Sequence, residues 1–175
     1  MAGQNKVKAF EETFIPHLDA AYNLARWLTR NDHDAQDVVQ EAYLRALKFY
    51  GGFHGHESRA WLLTIVRNTC YTWLQQNRSR ELATAFDEEI HAAENDNLNP
   101  AEQMIQKADG HLLRQALEEL PLEFREAIVL RELEGFSYKE IADVTGAPIG
   151  TVMSRLARAR ARLQRYLIAR IDKEC

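Results

Sequence analysis

Cysteine is scarce in this chain: Cys70 and Cys175 are the only two among 175 residues. Two thiols give no disulfide framework, which excludes a small stapled secreted scaffold and points to a reducing compartment. A secretory apolar segment and an apolar run of membrane length are both missing, so the expected location is cytoplasmic, with no direct membrane contact. Strand-type alternation is absent, and so is any internal repeat. No nucleophile–base pair stands out. His17, His33, His54, His56, His91 and His111 are scattered. His54-Gly55-His56 with Cys70 is too sparse for zinc. No enzymatic activity, cofactor or metal is therefore expected. The last deficit is of charge: no Asp or Glu occurs between Asp143 and Asp172.

That acid-free stretch carries Arg155, Arg158, Arg160, Arg162, Arg165 and Arg170 around one apolar stripe of Val152, Leu156, Ala159, Leu163 and Leu167. A solvated helix normally mixes signs, so a helix of one sign calls for an anionic partner. Duplex DNA offers roughly two phosphate charges per base pair. The residues before it fit that partner. Phe124, Ile128, Val129 and Leu133 recur at helical spacing after Pro121, and Gly135 ends the helix. Ser137-Tyr138-Lys139-Glu140 is a capping box that opens a short helix with Ile141, Ala142 and Val144 inward. Gly146-Ala147-Pro148 stops it, and Ile149 or Gly150 starts the arginine helix, expected to run to about Ile171. Helix, turn and helix in this order form a helix-turn-helix, which sets the N-terminal part of its second helix in the major groove. Thr151, Ser154 and Arg155 lie at that end. The competing reading is an amphipathic helix whose arginines are solvated or pair with the acidic middle of the chain.

The net charge of −4 hides this asymmetry, because acid is concentrated elsewhere. Residues 83–100 are acidic and asparagine-rich and read as a flexible tether. Helical periodicity fills the chain before it, from Val7 to Tyr50 and from about Ser58 to Arg80. A glycine-rich loop, Gly51-Gly52-Phe53-His54-Gly55-His56, interrupts it. A helix is expected to resume near Ala101 and lead through Leu112, Leu113, Ala116, Leu117 and Leu120. Asn31 to Glu41 looks like a helix start, with Asp32, Asp34 and Asp37 near the positive end of the helix dipole. Val38, Ala42, Ala46 and Phe49 then form a buried stripe, joined by Val39 and Leu47. Asp37, Gln40, Glu41 and Leu44 share another face, suited to an arginine-bearing protein partner or simply solvated. After the loop, Arg59, Trp61, Arg67, Asn68, Tyr71, Trp73 and Arg78 interleave aromatic and basic groups, as single-strand readers do. Trp61, Leu62, Ile65, Val66 and Thr69 are expected inward, whereas Trp73 is open between core and surface.

Taken together, these motifs resemble a bacterial RNA polymerase sigma factor of the extracytoplasmic-function (ECF) group over nearly the whole chain. Asp34 to Leu47 resembles the family's core-binding helix of region two. Phe53 to Leu62, with Ile65-Val66-Arg67-Asn68, resembles its promoter-melting loop and helix. Leu120-Pro121, Tyr138 to Ala142 and Gly150 to Leu156 resemble region four. The resemblance implies an all-α fold of two small helical domains, an N-terminal bundle and a C-terminal helix-turn-helix bundle, joined by a flexible acidic linker. The corresponding segments are residues 1–81, 82–108 and 109–175.

By that resemblance, Asp34, Asp37, Gln40, Glu41 and Leu44 dock on the clamp helices of the largest subunit of core RNA polymerase. Phe53, His54, His56, Ser58, Arg59, Arg67, Asn68, Tyr71 and Arg78 hold the melted minus-ten element, one base of which is flipped out of the stack. Arg131, Pro148, Thr151, Ser154, Arg155, Arg158 and Arg160 contact the minus-thirty-five element as duplex. The implied function is promoter recognition, melting and initiation at stress- or signal-responsive genes, with an anti-sigma protein as a further partner. The chain departs from the family pattern at Met153, where a basic residue is common, and at His54 and His56. Two other readings stand at this point: a sigma-like decoy for an anti-sigma protein, and a plain helix-turn-helix regulator.

Overall fold

A computed structural model describes residues 2–55, 57–83 and 110–174; the side chains of residues 78–83, 172 and 174 are outside the description. The expected tether, the helix start near Ala101, His56 and the Arg78 side chain therefore lie outside the described residues. The fold is all-α, with no strand among the described residues. None of these helices is long and apolar enough to cross a membrane.

The first body comprises α1 (Ala2–Phe14), α2 (Leu18–Thr29), α3 (Asp32–Phe49) and α4 (Ser58–Ala83). Its punctuation is local. Pro16 sits in a 3-10 turn between α1 and α2, where its fixed φ suits a helix start. Arg30 ends α2 in the left-handed region at φ 62°. Asn31 caps α3, its side chain accepting from the Asp34 amide at 3.0 Å, and Asp32 and Asp34 complement the dipole. A 3-10 turn at Tyr50–Gly52 leads into the glycine loop, with Gly55 at φ 84°.

The second body holds α5 (His111–Glu119), α6 (Leu122–Ile128), α7 (Tyr138–Thr145) and α8 (Ile149–Glu174). The α6 helix widens into a π turn at Val129–Leu133, where the Glu134 amide reaches the Val129 carbonyl five residues back at 3.1 Å. Gly135 follows at φ 69°. The capping box of α7 is complete: the Glu140 amide donates to Ser137 Oγ at 3.1 Å, and the Ser137 amide donates to Glu140 Oε1 at 3.0 Å. Gly146 closes α7 at φ 70°.

Two expected core positions are corrected. Phe49 is 57% exposed, because α3 reaches past the edge of the bundle before the chain turns. Leu133 is 54% exposed and Leu130 is buried in its place, because the π turn rotates the register by an extra residue. The α8 stripe behaves as expected through Val152, Leu156 and Ala159, which are buried. Trp61 and Trp73 are both half-buried against the core.

The two bodies pack along one seam, and their apolar residues merge into a continuous core. Arg125 and Glu126 lie in it, at 2% and 0% exposure. Arg125 bridges the ends of two helices. Its Nε donates to the Trp27 carbonyl at 2.7 Å, and its Nη1 to the Leu120 carbonyl at 2.9 Å. The first carbonyl belongs to the last turn of α2, whose orphan acceptors a guanidinium suits. Glu126 pairs with Arg67 of α4 at 3.1 Å.

Candidate polymerase and nucleic-acid interfaces

The residues expected to make contacts fall on three faces. On α3, Asp37, Gln40, Glu41 and Leu44 are all exposed, Leu44 at 64%. Asp34 is half-buried one turn earlier. Glu41 is held by Arg45 at 2.7 Å. Beside them runs an apolar cleft of about 620 Å³, bounded by Ile15, Leu18, Tyr22, Val39, Tyr43 and Leu47 with Gln40 and Leu44 on its edge. An acidic and amide edge around an apolar trough is the composition of a protein-binding face, with the trough excluding water from the polar contacts. Sequence reasoning found the α3 side of this face. It missed Ile15 and Leu18, which the 3-10 turn swings onto it.

The loop and α4 form the second face, which is partly occupied by the chain itself. Phe53 is anchored in an aromatic cluster, its ring centroid 5.2 Å from Phe14 and 5.1 Å from Trp61. This fixes the loop base and leaves His54 exposed at its tip. Ser58 Oγ lies 2.9 Å from Nε2 of His17. Burial and the neighbouring Arg59 charge lower the His17 pKa, which favours the neutral ring beside that hydroxyl. Arg59 stacks on Phe136 of the second body, its guanidinium 4.4 Å from the ring centroid. Arg67 stacks on Tyr71 at 3.7 Å as well as pairing with Glu126. Asn68 is exposed and accepts from Arg67 at 3.2 Å.

The helix-turn-helix is the third face. Arg131 is folded back, donating to the Phe136 carbonyl at 2.9 Å and stacking on Tyr138 at 4.7 Å. Pro148, Ser154 and Arg158 are exposed, and Thr151 is half-buried. Arg155 faces Glu123 at 3.6 Å, and Arg160 pairs with Glu132 at 3.0 Å. The expectation that the arginines of this helix await an anionic partner outside the chain is modified at these two. Their carboxylates come from α6 and the π turn. Arg158 and Arg165 have no carboxylate partner among the described residues.

The residues missed most plainly are Arg125 and Glu126. Their signal was present: Arg125 stands three and four residues before Ile128 and Val129, on the apolar stripe of α6. A charge there must find a buried partner.

Two family profiles match the chain. Sigma-70 region 2 covers residues 14–80, and Sigma-70 region 4 covers residues 110–163. The ECF RNA polymerase sigma factor SigM of Mycobacterium tuberculosis is 35% identical over 160 residues, 91% of this chain and 77% of that one. The chain belongs to the ECF RNA polymerase sigma factors. SigE of Mycolicibacterium smegmatis, an ECF sigma factor, is 34% identical over 94% of this chain, which spans 63% of that relative's length. Among solved structures, the sigma factor RpoE of Bartonella quintana, in complex with the anti-sigma factor NepR, superposes with a TM-score of 0.70. It shares 33% identity and covers 91% of this chain and 97% of its own. The region 2 match spans the α3 face and the glycine loop of this ECF sigma factor, and a plain helix-turn-helix regulator has no use for either.

Proposed function

We propose that this ECF sigma factor is a dissociable initiation subunit that recruits core RNA polymerase to a promoter set and opens it, the catalysis remaining with the polymerase. The observation that carries the reading is the presence of three chemically distinct faces on one chain: acidic-apolar on α3, aromatic-basic on α4 and arginine-rich on α8. Asp34, Asp37, Gln40, Glu41 and Leu44 engage the clamp helices of the largest polymerase subunit, with the adjoining cleft taking apolar side chains. His54, His56, Ser58, Arg59, Arg67, Asn68, Tyr71 and Arg78 hold the melted minus-ten strand, and Phe53 braces the loop. Arg131, Pro148, Thr151, Ser154, Arg155, Arg158 and Arg160 bind the minus-thirty-five duplex. Residues 1–81 and 109–175 act as the two reading domains, with residues 82–108 as their linker in the cytoplasm. An anti-sigma protein is a further proposed partner; the Bartonella sigma factor forms a complex with the anti-sigma factor NepR.

In the closed form Arg59 and Arg67 are engaged across the seam, so the free chain is expected to bind promoter DNA poorly. Transcription in vitro with core polymerase over a promoter library tests the function. Addition of the protein should select a promoter family with two conserved elements. An unchanged transcript profile would refute the reading. Asp37→Lys with Glu41→Lys should abolish co-purification with core polymerase at unchanged helicity; retention of the complex would displace the docking face from α3.

A further inference from the structure

The glycine loop between α3 and α4 is held at both ends by one short segment of chain. Phe14, the last residue of α1, carries the entry: its ring lies 5.9 Å from that of Tyr50 and 5.2 Å from that of Phe53. His17, three residues on, reaches the exit. Its Nε2 lies 2.9 Å from Ser58 Oγ, 41 positions along the chain, and both residues are half-buried. Pro16, with its fixed φ, stiffens the turn just before His17. His17 stands at the N-cap position of α2, yet its ring makes no capping bond to that helix. Its hydrogen bond crosses to α4 instead.

The exit of the loop needs such a hold. Glu57, directly before Ser58, has φ 56°. Glycine occupies this left-handed region freely, whereas a glutamate stays there only where its surroundings impose it. Two contacts do so. The Trp61 amide of α4 donates to the Glu57 carbonyl at 3.0 Å, and His17 holds the next residue through Ser58. The strained residue is thus pinned between α4 and the turn that joins α1 to α2. Backbone strain of this kind concentrates at ligand clamps, where it keeps a binding conformation formed in advance.

We propose that His17 is a positioning residue for promoter opening: by holding Ser58 it fixes the strained exit of the glycine loop, so that the loop is shaped for the flipped base before DNA arrives. This rests on the reading of the loop as the pocket for that base. Taking a base out of the stack is costly, and a loop that must also be ordered adds to the cost. The His17–Ser58 bond removes that second part.

The test uses holoenzyme assembled from this chain and core polymerase, on fork DNA from the promoter family selected in the library. The fork is duplex upstream and single-stranded through the minus-ten element. Abasic sites placed singly along that strand locate the flipped base as the one whose loss weakens binding most. His17→Asn sets its amide too short to reach Ser58. It should lose about fivefold in affinity on the intact fork, the worth of one hydrogen bond, and nothing on the fork abasic at that position. His17→Gln sets an amide at the reach of Nε2, where it can donate or accept, and should bind both forks as the parent does. In a Ser58→Ala background, His17→Asn should cause no further loss. An unchanged affinity of His17→Asn for the intact fork, an equal loss on both forks, a Gln variant as weak as the Asn variant, or a full His17→Asn loss without the Ser58 hydroxyl would each overturn the proposal while leaving the pocket reading in place. If the parent holoenzyme tolerates every abasic site, the loop holds no flipped base, and the function assigned to it fails together with the role of His17.

Discussion

Arg125 shows how much can depend on one side chain. Its guanidinium sits between the ends of α2 and α5, donating to the Trp27, Leu28, Glu118 and Leu120 carbonyls. Burial, with the Arg30 charge nearby, depresses its pKa to about 10, yet it stays a cation at neutral pH. Arg125→Met keeps most of the volume and strands those acceptors. A hydrogen bond to a charged group is worth about 1.5–3 kcal/mol, and a buried carbonyl left unsatisfied costs about 1–3 kcal/mol. Arg125→Met should therefore lower the urea unfolding free energy by at least about 2 kcal/mol. Arg125→Lys should recover little, because one ammonium cannot span both helix ends. Near-normal stability of either variant would show that the bridge is dispensable. Its neighbour Glu126 titrates in the opposite sense. Burial, outweighing the pull of Arg67, raises its pKa above the ordinary carboxylate value. The folded chain thus binds this proton more readily than the unfolded one. The resulting contribution is fully present below the unfolded pKa and fades as pH rises through the folded value. Glu126→Gln, which cannot titrate, should remove that component from the stability–pH profile between mildly acidic and neutral pH; an identical profile in the variant would show that Glu126 contributes none of it.

Among the elements, α7 is the one whose existence is most locally encoded. Eight residues are too few for an isolated helix, so its start depends on the reciprocal Ser137–Glu140 bonds and its end on Gly146. Ser137→Ala should destabilise the protein by about 1 kcal/mol in urea or thermal unfolding, and no change would mean that packing alone holds the helix. The α3 helix has a similar start at Asn31, and both starts were legible as short-range patterns of polar side chain and amide. The π turn after α6 was not. Nothing in Val129-Leu130-Arg131-Glu132-Leu133 departs from ordinary helical spacing. The extra residue that turns Leu133 out is absorbed where α6 meets Gly135 and the Phe136 amide returns to the Leu130 carbonyl at 3.0 Å.

For the molecule as a whole, the proposed DNA reading and the docking of the two bodies are competing uses of the same groups. Arg67 serves Glu126 in the closed form and the melted strand in the proposed open one. Leaving one buried charge without its partner costs several kcal/mol, so reversing one side should part the bodies. Glu126→Arg is expected to increase the radius of gyration in solution scattering while far-UV helicity is kept. Adding Arg67→Glu should restore the compact value. A single variant as compact as the parent, or a double variant that stays extended, would show that this pair does not hold the seam.

The capping box, the Asn31 cap, the glycine loop, the acid-free arginine helix and the acidic face of α3 could all be read from residues within a few positions of one another. Local hydrogen bonding and helical periodicity suffice to specify them, and with them the all-α class and the three faces. The pairing of Arg67 with Glu126, 59 positions apart, could not be read in this way. Nor could the Arg125 bridge to α2, the Ile15–Leu18 side of the cleft, or the self-pairing of Arg155 and Arg160. Each depends on which helix ends meet when two amphipathic bodies close on each other. That choice is made by burial summed over the whole core, and no short stretch of chain contains it.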